Sequence, residues 1–194
     1  MCEIFEENVD ESPFHIGYNL RTVFFSKEVI SLFGEISVYN HMPHGWGYYE
    51  GKTLYKKDGE IKEITLADLF TTPNQREFLR AFCENNLKNR NEQHSYFSGQ
   101  EPLYTTLAAK DIHTFVIDDK QLIIIFQPYS VGGCGDGPFI VKIPYSILKD
   151  HWNPDNPLAP LLEKIISSKM YTSSWNEAEF FAQCEEGLQF GDRP

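Results

Sequence analysis

The residue best suited to covalent chemistry in this sequence is Cys134, which lies in the glycine-rich stretch 130–138. A thiol held between glycines could be exposed, and a thiolate is a strong nucleophile once a base activates it. No histidine lies near Cys134 in the sequence. A hydrolase built on this chain would therefore use Cys134 with a distant partner, or a His/Asp pair such as His44 and Asp136.

Metal and phosphate chemistry have weaker support. His41 and His44 lie in one loop, but no acidic residue nearby completes a ligand set. No pair of the four cysteines, Cys2, Cys83, Cys134 and Cys184, has the CxxC spacing of zinc sites. Their spacing is compatible with free thiols or with up to two disulfides. The glycine-rich stretch lacks the lysine and Ser/Thr of a phosphate-binding loop. We expect no catalytic residue, no metal and no cofactor.

Recognition is better represented than catalysis. The stretch 40–49 is typical of a loop because it contains Pro43, Gly45 and Gly47. Aromatic side chains in exposed loops often dominate binding energies, although they can also fold back over a sheet edge. The residues predicted to bind a partner are His44, Trp46, Tyr48, Tyr49 and, less firmly, Tyr129.

Charge narrows the class of partner. The 194 residues carry a formal net charge of −11, which disfavours nucleic acids and anionic membrane surfaces because both need clustered Lys and Arg. A cationic protein would be attracted to the chain, although acidity can serve solubility alone. The apolar content of 41% suffices for one packed core.

Neither a signal peptide nor a membrane span is recognisable. The first residues, MCEIFEENVDES, are acidic, and no apolar run approaches the ~20 residues that cross a bilayer. We expect a cytoplasmic protein, or a periplasmic or extracellular one if an exporting segment has been removed. No membrane insertion is expected.

The elements that would position these residues alternate between strands and helices. Residues 14–39 predict two or three antiparallel strands, and Asp58-Gly59 predicts a tight hairpin turn between two more. Leu66–Phe70 would be a helical turn or an extended link. A helix should begin at Pro73, with Thr72 and Gln75 forming a capping box, and end near residue 88, followed by a polar loop over 89–98. Its helical spacing predicts one buried apolar stripe, formed by Phe78, Leu79, Phe82, Cys83 and Leu87.

The second half of the chain predicts further strands. Ile112–Ile117 and Leu122–Gln127 would pair, and the uninterrupted apolar run Leu122–Phe126 indicates a central strand covered on both faces. Phe139–Ile143 is the last strand. Tyr145–Trp152 and Leu158–Ser168 predict short helical segments.

Two segments of this half resemble the RsiV-type domain, a bacterial domain without an assigned role in most proteins. They are Phe126-Gln127-Pro128-Tyr129 and Ile140-Val141-Lys142-Ile143-Pro144-Tyr145, separated by a glycine-bearing loop. Upstream, Met42-Pro43-His44-Gly45 and Leu66-Ala67-Asp68-Leu69-Phe70 agree in outline. The resemblance spans roughly residues 30–150.

The resemblance implies a location outside the cytoplasmic membrane of bacteria. Similar domains include the sensor region of an anti-sigma factor that binds lysozyme and a region that precedes the catalytic domain of a peptidoglycan deacetylase. The domain itself carries no recognised catalytic residues.

We therefore expect an α+β domain, an antiparallel sheet with one main helix packed on a face. An acidic arm (1–13) would precede the domain (14–152), and a helical C-terminal extension (153–194) would follow it. The expected function is non-catalytic recognition of a protein, such as lysozyme, or of a cell-wall glycan in the bacterial envelope. The alternatives are the hydrolase considered above and a cytoplasmic protein-interaction module.

Overall fold

The fold of the chain comes from a computed structural model that describes residues 15–39, 46–98, 107–128, 130–131 and 139–161. Within these ranges the chain forms seven strands in two antiparallel sheets, one long helix and several short helical turns. The predicted α+β class is confirmed, and the strands divide between two sheets rather than one. Predictions for the acidic arm, for Cys134 and for the chain beyond residue 161 lie outside the described residues.

The first sheet, called sheet A, is a four-stranded meander in the order β1-β2-β3-β4. Its strands are β1 (His15–Phe25), β2 (Val29–Tyr39), β3 (Trp46–Lys57) and β4 (Glu60–Ile64). The β3–β4 turn is the predicted Asp58-Gly59 pair, and both residues have the positive φ that such hairpins require. β4 pairs only with Thr53–Lys57, so the first half of β3 has β2 as its only strand neighbour among the described residues.

The second sheet, sheet B, contains β5 (Thr114–Ile117), β6 (Gln121–Ile125) and β7 (Ile140–Pro144), in that order. β6 is the central strand, and Leu122 to Ile125 are fully buried. One set of its side chains packs with α2, and the alternate set packs with sheet A. The prediction of a central strand covered on both faces is confirmed.

The long helix α2 (Pro73–Ser98) begins as predicted. The Thr72 backbone N–H donates to the Gln75 side-chain carbonyl over 2.9 Å, and the Gln75 N–H donates to the Thr72 hydroxyl over 3.3 Å. This is the capping box expected from the sequence. α2 extends to Ser98, so the polar loop predicted for 89–98 was wrong. That stretch has no apolar stripe in its sequence, but it also contains neither proline nor glycine before position 99 to end a helix.

Short helices flank these elements. α1 (Leu66–Leu69) leads from β4 toward α2, a 3₁₀ turn spans Ala109–Asp111, and α3 (Tyr145–Leu148) follows β7. None of the helices in the described ranges combines the length and the apolar character that crossing a bilayer requires.

Two apolar clusters define the layers. The larger lies between sheet B and α2, and the smaller lies between the two sheets. The larger cluster takes Leu79, Cys83 and Leu87 from α2, the apolar stripe predicted for this helix. The smaller cluster consists of Val23, Phe33, Tyr49, Val116, Ile123 and Ile125. Sheet A thus uses one face for the core and presents the other, its outer face, away from it.

Candidate functional site: the outer face and open edge of sheet A

Three of the predicted recognition residues, Trp46, Tyr48 and Tyr49, lie on a strand rather than in a loop. β3 begins at Trp46, so the loop predicted through Tyr49 was wrong at that end. Pro43, Gly45 and Gly47 made the stretch resemble a loop, but Gly47 belongs to the strand. His44 and Tyr129 lie outside the described residues.

The pleat separates the two adjacent tyrosines. Tyr49 is buried and its ring packs on Phe33, with ring centres 5.8 Å apart. Its side chain therefore belongs to the core between the sheets, contrary to the exposed position expected for it. Tyr48 points to the other face and is 37% exposed. The backbone of Trp46 pairs with that of Val38 in β2.

Exposed apolar side chains from β1 extend this surface. Ile16, Tyr18 and Leu20 alternate on the outer face and are 64%, 56% and 54% exposed. The register aligns Tyr18 with Ile36 of β2, and Ile36 with Tyr48 of β3, so the three form one cross-strand row. We call the set Ile16, Tyr18, Leu20, Ile36 and Tyr48 the aromatic face.

Gly34 allows the ring of Tyr18 to lie against the sheet. A β-carbon at Gly34 would come within 3.0 Å of the Tyr18 hydroxyl oxygen and 3.5 Å of the ring carbons. The ring therefore covers the glycine, which limits its rotamers while most of its surface stays in solvent. A preordered aromatic ring binds with a smaller entropy loss than a mobile one.

A cleft of about 490 Å³ runs beside the first half of β3, the half that β4 leaves unpaired. The opposite wall comes from the start of β5 and the segment after β6. The lining residues are Gly47, Tyr48, Tyr49, Glu50, Gly51, Lys52, His113, Thr114, Gln127 and Pro128. Tyr48 thus belongs to both the aromatic face and the cleft.

Gln127 occupies the edge of β3 within this cleft. Its Oε1 accepts a hydrogen bond from the Tyr49 backbone N–H over 2.9 Å, and its Nε2 donates to the Tyr49 carbonyl over 2.6 Å. The same Nε2 donates to the Thr114 hydroxyl over 3.0 Å. The amide thus imitates one residue of a neighbouring strand. The sequence carried no signal for this contact, because its partners are 78 positions apart.

His113 adds a polar group to the opposite wall. Its ring is exposed, and Nδ1 lies 3.1 Å from the carbonyl oxygen of Lys110. Because a carbonyl oxygen only accepts hydrogen bonds, Nδ1 carries the proton in this contact. In the neutral ring, Nε2 is then a hydrogen-bond acceptor.

Neither a thiol nor a metal site lies among the described residues of this region. Cys83 lies on the buried face of α2, and desolvation raises the pKa of its thiol to about 12. The described residues contain no group of three or more His, Cys, Asp or Glu side chains placed to hold a metal ion. His44 and Asp136, the alternative catalytic pair, lie outside the described ranges.

A comparison with protein families finds a match for the layers beneath sheet A. Residues 67–146 match the DUF3298 family, described as a protein of unknown function. The DUF3298 match covers less than half of the chain. It runs from α1 to the start of α3 and therefore contains α2 and sheet B, whereas the aromatic face lies outside it. No significant similarity to a curated protein was found.

Solved DUF3298 structures share the fold over a larger part of the chain. A family member from Bacteroides fragilis NCTC 9343 superposes with a TM-score of 0.63 at 16% identity, over 80% of this chain and 59% of that one. A family protein from Pseudomonas aeruginosa PAO1 gives 0.56 at 15% identity, over 75% of this chain and 66% of that one. This chain thus spans less than two thirds of the length of either structure. The similarity extends beyond residues 67–146 and shows a common fold.

Proposed function

We propose that this chain is a non-catalytic binding module of the bacterial cell envelope that recognises a protein or a cell-wall glycan through the aromatic face. The observation that carries the proposal is the cross-strand row Tyr18–Ile36–Tyr48, flanked by Ile16 and Leu20, on a sheet whose opposite face is buried. Exposed aromatic residues that lie close together favour an interface over a scattered surface.

The rigidity of the surface supports this role. All five residues project from paired strands, and the underlying sheet is fixed by the core that contains Phe33 and Tyr49. A surface on regular strands holds its side chains more accurately than a loop does, so binding requires little reordering.

The envelope location rests on the resemblance of the segments around Phe126–Tyr129 and Ile140–Tyr145 to the RsiV-type domain. In the fold, these segments follow β6 and form β7. A lysozyme-like cationic protein is one candidate partner, and a cell-wall glycan is the other.

Defined probes test the proposal. The full chain would be immobilised and exposed to a lysozyme and, separately, to soluble peptidoglycan fragments. Tyr18→Ala and Tyr48→Ala should each weaken retention of the partner by about tenfold or more, as expected for central aromatic contacts. The melting temperature should change little, because both side chains are exposed.

Ile61→Ala is the matched control. Ile61 is 71% exposed and lies on β4 opposite Lys56, at the far end of sheet A from Tyr48. This substitution should leave retention unchanged. Failure of both probes to bind, or equal losses for Ile61→Ala and Tyr18→Ala, would refute the proposal.

A further inference from the structure

The cleft beside β3 has a chemical character different from that of the aromatic face. Its rim carries the exposed side chains of Tyr48, Glu50, Lys52 and His113. Together these supply one aromatic ring, one carboxylate, one ammonium group and one imidazole. The cleft therefore offers a ring surface and both donors and acceptors, with no excess of either charge.

The backbone of β3 contributes further hydrogen-bonding groups. In an antiparallel strand, the N–H and C=O of alternate residues point to the same side. Those of Tyr49 point toward Gln127, so those of Gly47 and Gly51 face the same side, away from β2. Both glycines line the cleft, so these main-chain groups belong to its wall.

An extended peptide fits this edge poorly. A peptide that added to β3 as a new strand would need a regular ladder that includes Tyr49. Gln127 already holds both backbone groups of Tyr49, at 2.9 and 2.6 Å. Strand addition would have to break both hydrogen bonds and the third bond from Gln127 to Thr114.

A sugar meets these conditions. Each hydroxyl group both donates and accepts, so separate polar groups at Gly47, Gly51, Glu50, Lys52 and His113 can be used without a regular ladder. A sugar ring can also pack its apolar face on an exposed tyrosine. We propose that the β3 cleft binds one or two rings of an uncharged oligosaccharide, with Tyr48 as the packing surface. This inference rests on the proposed function, because it assigns the ligand class at a site that shares Tyr48.

The balanced charge of the cleft rim favours an uncharged sugar over an anionic polymer. Glu50 and Lys52 balance each other on the rim, and an anionic chain would need an excess of Lys or Arg. The cleft volume of about 490 Å³ falls in the usual range for small-molecule sites.

The test uses backbone amide NMR shifts of the full chain titrated with the uncharged trisaccharide of N-acetylglucosamine. Shifts should concentrate at Gly47–Lys52, His113, Thr114 and Gln127, with a dissociation constant near ~1 mM. Glu50→Ala and His113→Ala should each weaken binding about three- to tenfold, because each removes one hydrogen-bonding side chain. Lys57→Met, on the same strand but outside the cleft, should leave the affinity unchanged.

Two comparison ligands complete the design: trigalacturonic acid as the anionic sugar and blocked tetra-alanine as the peptide. The inference is overturned if the uncharged trisaccharide shifts none of the cleft residues at ~10 mM, or if either comparison ligand binds there more tightly. Tyr18→Ala distinguishes this result from the proposed function, since Tyr18 lies outside the cleft. If the sugar does not bind at the cleft but a protein partner still binds in a way that depends on Tyr18, only this inference is rejected.

Discussion

Gly51 illustrates how a single residue sets the distance between the two sheets. A β-carbon built on Gly51 would lie 2.1 Å from the carbonyl oxygen of Phe115 and 2.8 Å from its carbonyl carbon. These are backbone atoms of β5, which cannot move aside as a flexible side chain would. The glycine is therefore required for the close approach of β3 and β5 and not for an unusual φ angle.

Gly51→Ala should lower the free energy of unfolding by about 3 kcal/mol, because the added methyl group forces the two backbones apart. Urea denaturation followed by circular dichroism measures this change. Glu50→Ala is the neighbouring control and should alter stability by less than about 0.5 kcal/mol, since Glu50 is exposed. Equal denaturation midpoints for Gly51→Ala and the unmodified protein would contradict the packing described here.

Other residues of this interface were equally hidden in the sequence. The Ser31 hydroxyl lies 2.9 Å from that of Thr53 and accepts a hydrogen bond from the Ile117 backbone N–H over 3.0 Å. This bond satisfies a group on the edge of β5 that β6 does not pair, so it protects an otherwise open edge. It joins positions 86 residues apart, and local patterns carry no information at that range. Tyr48 was selected from the sequence because it is an aromatic residue. Nothing in the type or the neighbours of Gln127 indicated its contact with β3.

At the scale of elements, the packing of α2 on sheet B protects Cys83. Cys83 lies in the apolar stripe of α2 and is fully buried, as the helical spacing predicted. Burial raises the pKa of its thiol to about 12, which keeps the thiolate fraction negligible near neutral pH.

Iodoacetamide at pH 8 should therefore leave Cys83 unmodified in the folded protein. In urea the same cysteine should react, because unfolding removes the burial that raises its pKa. Peptide mapping by mass spectrometry reports Cys83 separately from the other three cysteines. Modification of Cys83 at similar rates with and without urea would show that the packing of α2 on sheet B does not shield it.

Elements with strong local signals were predicted, and those without were not. The Asp58-Gly59 turn and the Thr72–Gln75 capping box depend on neighbouring residues, and both are present. The start of β3 was missed because Gly47 serves a close approach to the Ile36 carbonyl of β2 rather than a turn. The last turns of α2 were missed because their polar composition fits a loop as well as a solvated helix.

At the scale of the whole molecule, the acidity is unevenly distributed. Residues 15–64, which span sheet A, contain six basic residues (Arg21, Lys27, Lys52, Lys56, Lys57, Lys62) and six acidic ones (Glu28, Glu35, Glu50, Asp58, Glu60, Glu63). The net charge of −11 therefore comes from the remainder of the chain. The electrostatic argument for a cationic partner does not apply at the aromatic face itself.

Binding at the aromatic face should accordingly depend weakly on salt. Raising NaCl from ~0.05 to ~0.5 M should change the dissociation constant by less than about threefold, because no net charge is neutralised there. Isothermal titration calorimetry would measure the dissociation constant at both salt concentrations. The ligand would be the probe, lysozyme or peptidoglycan fragment, whose binding Tyr18→Ala weakens. A loss of tenfold or more at the higher salt concentration would instead place the contact on the acidic part of the chain.

The general architecture followed from the sequence, but the division into two sheets did not. Alternation along 15–39 and the buried run Leu122–Phe126 predicted antiparallel strands and a central strand, and both predictions are confirmed. Alternation does not say which strands become neighbours. The separation of β4 from β5 by α2, and the pairing of β5 only with β6 and not with sheet A, depend on contacts across the whole fold.

β6 has strand neighbours on both edges and apolar layers on both faces. Its amide hydrogens can exchange with solvent only when β5 or β7 separates from it and the covering layers open. The slowest hydrogen exchange in the chain should then occur at Leu122–Ile125, with an opening free energy equal to that of global unfolding. Events at the outer surface that leave these amides protected are confined to the periphery of the molecule.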